Sequence, residues 1–309
     1  MKFVKAVLIP ILIIALMIIS ACSGGVTPSP IPSPIHDVSI SPEPSPTPDV
    51  SASPDPVPTP PPTPEPDPTD TPPPDAATAG IDGGPTPGGV VFDISAVDIS
   101  GIDPDMPVVA LTFDDGPNTT ITVMILDKIE QHGVVATFFL EGRHIKDSSI
   151  PVMQRAFDMG CEFGNHSWSH IDLSKKAIEE IEVEVRYTSD KIEQALGVRP
   201  FFFRPPYIAT SNTMYEVIDL PFISGVMAGD WSTTDSELIA ERILNQTNDG
   251  VIILLHDGPS FSGTPDSLDI IIPELLDRGY QFVTLSQLFA VKGVTPEIRV
   301  NGKIYSEVG

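Results

Sequence analysis

The sequence predicts an α/β fold, a distorted (β/α) barrel of about seven parallel strands. From about residue 91 onward, short apolar runs of strand length alternate with longer segments in which apolar residues recur at the helical period. Such repeated alternation indicates a parallel sheet, because each helix returns the chain to the same edge of the sheet. About 200 residues follow the proline-rich N-terminal third, which is enough for one barrel-sized core. A doubly wound sheet is the alternative.

Each predicted strand is a short apolar run bounded by turn residues. The strands are expected at residues 108–113, 136–140, 162–165, 201–203, 222–226, 251–255 and 281–284. The segments between them carry one polar and one apolar face, which predicts helices. These helices are expected at residues 120–131, 150–159, 174–196, 211–218, 236–246 and 266–278.

The N-terminus has the pattern of an export signal. Lys2 and Lys5 precede an apolar run at residues 6–19, and small residues follow at the expected cleavage point. The run from Ile19 to Cys22 is similar to a bacterial lipobox, which predicts a lipoprotein signal peptide at 1–21 and lipidation of Cys22. An uncleaved signal anchor is the alternative. With either, the rest of the chain is expected to be extracytoplasmic.

Residues 22–90 consist mainly of Pro, Ser, Thr, Asp and Gly. Such a segment cannot bury apolar area, so we expect an extended, disordered linker. At ~3 Å per residue it reaches at most about 200 Å, which suits a tether, although a passive stalk explains the composition equally well. A globular domain is then expected at 91–291 and a C-terminal extension at 292–309.

Charge and cysteine content argue against a nucleic-acid partner and against a disulfide-stabilised fold. The formal net charge is −25, with 17 Lys and Arg against 42 Asp and Glu, so no nucleic-acid partner is expected, because phosphate binding requires clustered cations. The two cysteines, Cys22 and Cys161, lie in regions that cannot share a core, and no disulfide framework follows.

Unusual polar residues follow the predicted strands. The active-site residues of parallel α/β barrels lie where strands end and loops begin. At those points stand Asp114, Asp115, His166, His170, Arg204, Asp230 and His256. The repeated coincidence predicts that these side chains converge on one site.

The segment from His166 to His170 places two imidazoles four residues apart, and on a helical turn they would share one face. Imidazole with carboxylate suits Zn²⁺ and similar metals. Asp114 and Asp115 end the first strand before a Gly-Pro turn. One acid could bind the metal while the other takes a proton from water; a plain Asp-Gly turn with solvated acids is the alternative.

Together these segments resemble the five ordered motifs of the polysaccharide deacetylases, the nodulation-type deacetylases of carbohydrate esterase family four. The motifs lie at residues 112–116, 166–170, 204–207, 230–231 and 254–256. As a set they are specific, and the resemblance covers about residues 108 to 288. It implies a hydrolase that removes N-acetyl groups from N-acetylglucosamine units, with wall peptidoglycan as the expected substrate.

The resemblance also implies a role for each matching residue. Asp115, His166 and His170 would bind one divalent metal, with zinc expected and cobalt, manganese or nickel as alternatives. Asp114 would be the general base, and Arg204 would orient it.

The other motif residues would act on the substrate side. The backbone N–H of Tyr207 would bind the oxyanion. Asp230 would hold His256, the general acid, while Trp231 and Leu254 would form the acetyl methyl pocket. For three residues a structural role is the alternative: a salt bridge for Arg204, core packing for Trp231 and a strand-end histidine for His256.

One position departs from the family pattern, because Met227 stands where many relatives have an acid three residues before Asp230. Two alternative functions stay open at this point: O-deacetylation of xylan or another ester-bearing glycan, and a non-catalytic glycan-binding module on a stalk. We expect a monomer attached to the membrane through lipid at Cys22.

Overall fold

The structure, a computed structural model, describes residues 93–309, so the predicted signal peptide, Cys22 and the linker lie outside the described residues. The described chain contains six named strands. They are β1 (Val108–Gly116), β2 (Thr137–Leu140), β3 (Glu162–Asn165), β4 (Val226–Met227), β5 (Ile252–His256) and β6 (Gln281–Val283).

Helices follow most strands. They are α1 (Ile121–His132), α2 (Ile150–Asp158), α3 (Ile178–Leu196), α4 (Asn212–Val217), α5 (Ser236–Gln246), α6 (Gly263–Asp277) and α7 (Leu285–Val291). The sequence analysis missed α7, although Thr284 and Gln287 form a capping box at its start. Across residues 93–309, no helix is both long enough and apolar enough to cross a membrane.

All strand pairs of the sheet are parallel, which confirms the predicted fold class. β1 is central. It pairs with β5 along one edge, and along the other edge with β6 near its start and β2 near its end. β3 extends the sheet beyond β2.

Two predicted strands, 201–203 and 222–226, are reduced largely to bridges. Pro200 and Pro205 lie on either side of the first segment and Pro221 precedes the second, and proline cannot donate to a ladder. Phe203 bridges to Asn165 of β3 and to Phe222. The chain from Phe222 continues into β4, which pairs with β5. These bridges link β3 back to β5, so the sheet closes into the predicted distorted barrel.

Side chains on one face of β1 change from apolar to polar along the strand. Val108 and Ala110 pack in an apolar cluster with α7. Thr112 and Asp114 lie on the same face of the strand, and both are buried and hydrogen bonded to Arg204. The other face, including Leu111, packs against the main helices. The polar end of β1 therefore lies at the carboxyl edge of the sheet, where barrel sites form.

The C-terminal segment packs on the opposite end of the barrel. Tyr305 is 6% exposed, pairs with Ile223, and contacts the Phe289 ring edge-on at 5.0 Å. Its hydroxyl accepts a hydrogen bond from the Glu297 amide at 3.0 Å.

We predict that Tyr305→Ala lowers the free energy of unfolding by about 3 kcal/mol, because it opens a cavity in this cluster. Val300→Ala is the matched control: Val300 is 41% exposed, so its loss should change stability by no more than about 0.5 kcal/mol. Chemical denaturation measures both. Wild-type stability in Tyr305→Ala would show that the Tyr305 side chain contributes nothing to this cluster.

Candidate active site

Asp114 and Asp115 face the same pocket because β1 contains a bulge. The register with β2 shifts between Asp114 and Gly116, and Asp115 has a left-handed backbone with φ 76°. An ordinary strand would direct two adjacent side chains to opposite faces. The extra residue turns the Asp115 carboxylate toward Asp114.

Arg204 holds Asp114 from inside the barrel. Its side chain is 0% exposed, and Nη1 donates to Asp114 Oδ1 at 2.6 Å and to Thr112 Oγ1 at 2.8 Å. Nη2 donates to the Ser224 carbonyl at 2.8 Å, and the guanidinium lies 4.1 Å from the centre of the Phe139 ring. Burial lowers the pKa of Arg204, while the Asp114 charge favours its protonated form. Asp114 is thus fixed through one oxygen.

The two predicted histidine ligands converge on Asp115. Nε2 of His166 and Nε2 of His170 each lie 3.4 Å from Asp115 Oδ1. Nδ1 of His166 donates to the Arg204 carbonyl at 2.7 Å, and Nδ1 of His170 contacts the Tyr207 hydroxyl at 3.1 Å. Each ring therefore directs its other nitrogen toward the carboxylate.

His166 and His170 do not lie on a helical turn. Residues 166–170 form a loop, because Ser167 and His170 have φ 65° and φ 58°, values incompatible with a right-handed helix. The left-handed backbone of these residues, and not helical spacing, directs both imidazoles toward Asp115.

Asp115, His166 and His170 fit a divalent cation. Asp115 Oδ1 is buried without a hydrogen-bond partner, and one ligand atom from each residue lies within 4.8 Å of the others. A buried carboxylate oxygen without a partner is costly unless an ion satisfies it. One carboxylate with two imidazoles is also a ligand set that zinc and neighbouring metals use.

Charge among these groups sets their protonation. Burial would raise the pKa of Asp115, but the nearby imidazoles of His170 and His166 lower it well below its usual range. Burial lowers the pKa of His170 to about 4, despite the opposing effect of Asp115. At neutral pH the site therefore offers a carboxylate and a neutral His170, the forms that bind metals.

His256 and Asp230 form a second pair. His256 Nδ1 contacts Asp230 Oδ1 at 2.8 Å, and Asp230 Oδ2 accepts from the His256 amide at 2.9 Å and from Thr264 Oγ1 at 2.8 Å. Burial would lower the pKa of His256, but the Asp230 carboxylate outweighs it, and Asp114 and Asp115 add to the effect, raising the pKa to about 10. His256 is therefore protonated at neutral pH.

One pocket brings most of the predicted site residues together. Its lining comprises Asp114, Asp115, His166, His170, Pro205, Tyr207, Ile208, Met227, Trp231, Leu254, His256 and Phe261. Arg204 and Asp230 lie behind it and hold Asp114 and His256. Tyr207 occupies a tight turn with φ 59°. Cys22 lies outside the described residues.

The sequence analysis missed several residues of this site. Ile208 and Phe261 line the pocket, and the Phe261 ring lies 4.8 Å from the His256 ring. Asp257 is buried beside the site, and burial raises its pKa to about 7. Each is adjacent or close in sequence to a predicted residue, which is the only signal that marks it.

The geometry agrees with what comparison with known proteins finds. The sequence profile of the polysaccharide deacetylase family matches residues 101–220. The bifunctional xylanase/deacetylase of Pseudobutyrivibrio xylanivorans is 45% identical over 202 residues, which are 65% of this chain and 33% of that protein. A peptidoglycan-N-acetylglucosamine deacetylase of Bacillus cereus is 36% identical over 188 residues, 59% of this chain and 68% of the relative.

A solved structure shows the same likeness. The family 4 acetyl xylan esterase from Clostridium thermocellum, in complex with a cobalt ion, is 43% identical and superposes with a TM-score of 0.62, covering 65% of this chain and 98% of that one. The chain spans only about a third to two fifths of the length of the first curated relatives it matches. The profile match includes the predicted pocket residues from Asp114 to Tyr207 and ends before Trp231, Leu254 and His256. With the identity to the B. cereus protein and the likeness to the C. thermocellum structure, it shows that the chain belongs to the polysaccharide deacetylase family.

Proposed function

We propose that this protein is a metal-dependent hydrolase that removes N-acetyl groups from N-acetylglucosamine units of a glycan, with peptidoglycan as the substrate. One observation carries the proposal: a single pocket holds a metal-ligand set together with two separately anchored proton-transfer groups, Asp114 and His256. A non-catalytic glycan-binding module would not require all of these groups.

Asp115, His166 and His170 would hold the metal. The chemistry that a divalent cation supplies at such a site is Lewis acidity, which polarises a carbonyl and acidifies water. Zinc suits this ligand set, with cobalt, manganese and nickel as alternatives. The C. thermocellum relative, solved in complex with a cobalt ion, supports this assignment.

Asp114 would act as the general base. Arg204 binds its Oδ1, while Oδ2 lies 3.8 Å from His166 Nε2, beside the metal-ligand set. The carboxylate can therefore accept a proton from water that attacks the acetyl carbon. Arg204 would fix its direction. The Tyr207 amide would donate to the developing oxyanion, as the family pattern implies.

His256 would act as the general acid. Asp230 occupies its Nδ1 and raises its pKa to about 10, so Nε2 carries a proton at neutral pH. An amine departs only after protonation, and this proton would pass to the leaving nitrogen. Trp231 and Leu254 would enclose the acetyl methyl group.

The choice of substrate rests on the acid. A strongly protonated His256 suits an amide, whose amine leaves poorly without a proton, and the B. cereus relative is named for peptidoglycan. O-deacetylation of xylan is the second candidate. The xylanase/deacetylase of P. xylanivorans and the acetyl xylan esterase of C. thermocellum are 45% and 43% identical to this chain, whereas the B. cereus protein is 36% identical.

Acetate release from purified peptidoglycan, N-acetylglucosamine oligomers and acetylated xylan, each with and without a chelator, tests the proposal. We expect chelator-sensitive release that is fastest from the N-acetylated substrates. Faster release from xylan would favour the second candidate. Unchanged release after exhaustive chelation would exclude a metal-dependent mechanism.

Asp114→Asn and Asp115→Asn should have different effects although the two acids are neighbours. Asp114→Asn removes the base but leaves three metal ligands, so we expect bound metal and a fall in turnover of about 10²- to 10⁴-fold. Asp115→Asn removes a charged ligand, so metal affinity and turnover should both fall, and added metal should restore part of the rate. Elemental analysis beside acetate release measures both. Metal loss in Asp114→Asn alone would reverse the assigned roles.

Activity should be lost on the alkaline side as His256 deprotonates. Its raised pKa keeps the acid form present below about pH 10 and removes it above. Asp230→Asn removes the largest cause of the raised pKa, so the alkaline limb of the kcat/KM profile should move to lower pH. An alkaline limb at the same pH in this variant would show that His256 is not the group that titrates.

We also propose an extracytoplasmic monomer, anchored through lipid on Cys22 with residues 22–90 as the spacer. This rests on the signal, lipobox-like and proline-rich patterns of the sequence.

Cys22→Ala should release the protein from membranes, or leave an uncleaved precursor, with turnover unchanged. Cys161→Ala is the matched control, because the Cys161 thiol is buried in the folded domain. Membrane fractionation and labelling with a radioactive fatty acid measure the effect. Equal labelling of wild type and Cys22→Ala would place the anchor elsewhere.

A further inference from the structure

The loop that carries both histidine ligands adopts a costly backbone. Ser167 and His170 have φ 65° and φ 58°, and the loop contains no glycine. Left-handed backbone is strained in residues with a Cβ, and it persists only where surrounding contacts enforce it. The loop therefore requires an anchor between the two imidazoles.

Glu184 of α3 supplies three contacts at that point. Its Oε2 accepts hydrogen bonds from the Trp168 amide at 2.9 Å and the Ser169 amide at 2.8 Å. Its Oε1 accepts from Ser169 Oγ at 2.7 Å. All three donors lie between His166 and His170. Two consecutive amides directed at one carboxylate oxygen fix the orientation of the peptide planes between the ligands.

The position of Glu184 in the helix is unusual. It is 3% exposed, and within the described part of α3 it is the only charged side chain that is buried. The other buried positions of the helix are uncharged: Ile181, Val185, Thr188, Ser189 and Ile192. Burial raises the pKa of Glu184, and the hydrogen bonds from Ser169 and Trp168 counter that effect. A buried carboxylate is costly, and core packing alone would favour an apolar residue here.

Asn165 anchors the start of the same loop separately. Its side-chain amide donates to the Val185 carbonyl at 2.7 Å and to Ser189 Oγ at 2.8 Å, and its carbonyl oxygen accepts from the Ser167 amide at 2.8 Å. The Gly142 and Arg143 amides also donate to the Ser167 and Trp168 carbonyls, at 3.0 Å and 3.1 Å. Glu184 therefore holds the Trp168 and Ser169 amides, while other groups hold the carbonyls between the ligands.

We propose that Glu184 is a positioning residue for the metal site: by holding the Trp168 and Ser169 amides, it directs both imidazole Nε2 atoms toward Asp115. It acts through the loop and touches neither substrate nor ligand side chain. This inference rests on the proposed function, because it assumes a divalent cation at Asp115, His166 and His170. Glu184 lies outside the five motifs, and sequence spacing does not reveal it.

Three variants of the full chain test the proposal. Glu184→Leu keeps a side chain of similar size but removes all three hydrogen bonds. Glu184→Gln removes the charge, while its carbonyl oxygen can still accept from both amides and its NH₂ group can donate to Ser169. Ile192→Ala is the matched control, because Ile192 is buried in the same helix and makes no contact of this kind.

Zn²⁺ and Co²⁺ affinities are measured by competition with a chromophoric chelator, and the visible spectrum of bound Co²⁺ reports ligand geometry. We expect Glu184→Leu to bind about 10- to 100-fold more weakly with an altered Co²⁺ spectrum. Glu184→Gln should stay within about threefold of wild type, and Ile192→Ala should keep wild-type affinity although it unfolds more easily.

Wild-type affinity and spectrum in Glu184→Leu would overturn the positioning role while leaving the proposed function intact. Failure of the wild-type protein to bind either metal would overturn both. If Glu184→Leu does not fold, Glu184→Ala, which also removes all three hydrogen bonds but brings no bulky apolar group against the loop, should weaken metal binding by about 10- to 100-fold. Unchanged affinity in Glu184→Ala would then overturn the role.

Discussion

The buried ion pair between Arg204 and Asp114 is the interaction on which the rest of the site depends. The Arg204 side chain binds Asp114 and Thr112 on the inward face of β1, while its carbonyl accepts from His166 Nδ1 and its amide binds the Asn165 carbonyl. One residue therefore fixes Asp114, His166 and the end of β3. Removing either partner of such a buried pair leaves an uncompensated charge, at a cost of about 3–5 kcal/mol.

Around this pair the backbone departs from ordinary conformations where side chains must converge. Six residues other than glycine have positive φ in residues 93–309, and four of them line the pocket: Asp115, His170, Tyr207 and Ile208. Ser167 lies in the loop between the two histidines, and only Arg299 lies elsewhere. The bulge at Asp115 makes two neighbouring acids share a pocket, and the left-handed residues of the histidine loop aim two imidazoles at one oxygen. Barrel closure, helix packing and Glu184 hold these conformations in place.

The sequence predicted those parts of the site that follow from topology. Parallel strands bring their carboxyl ends to one edge, so Asp114, His166 and His256 could be expected to meet although long segments separate them. Features set by tertiary contacts were not predictable. The histidine spacing suggested a helical turn, whereas the loop is not helical, and Glu184 lies in a helix whose amphipathic pattern gives no sign of a buried acid. Flanking prolines, visible in the sequence, reduced two expected strands to bridges.

Asp115, His166 and His170 should hold one divalent cation beside Asp114 and His256. Anomalous diffraction at the zinc edge, from crystals grown with Zn²⁺, measures this. We expect one strong peak at about 2.0–2.2 Å from an Asp115 oxygen and from Nε2 of both histidines. A pocket without such a peak, or zinc bound by Asp114 and His256 in place of these residues, would contradict it.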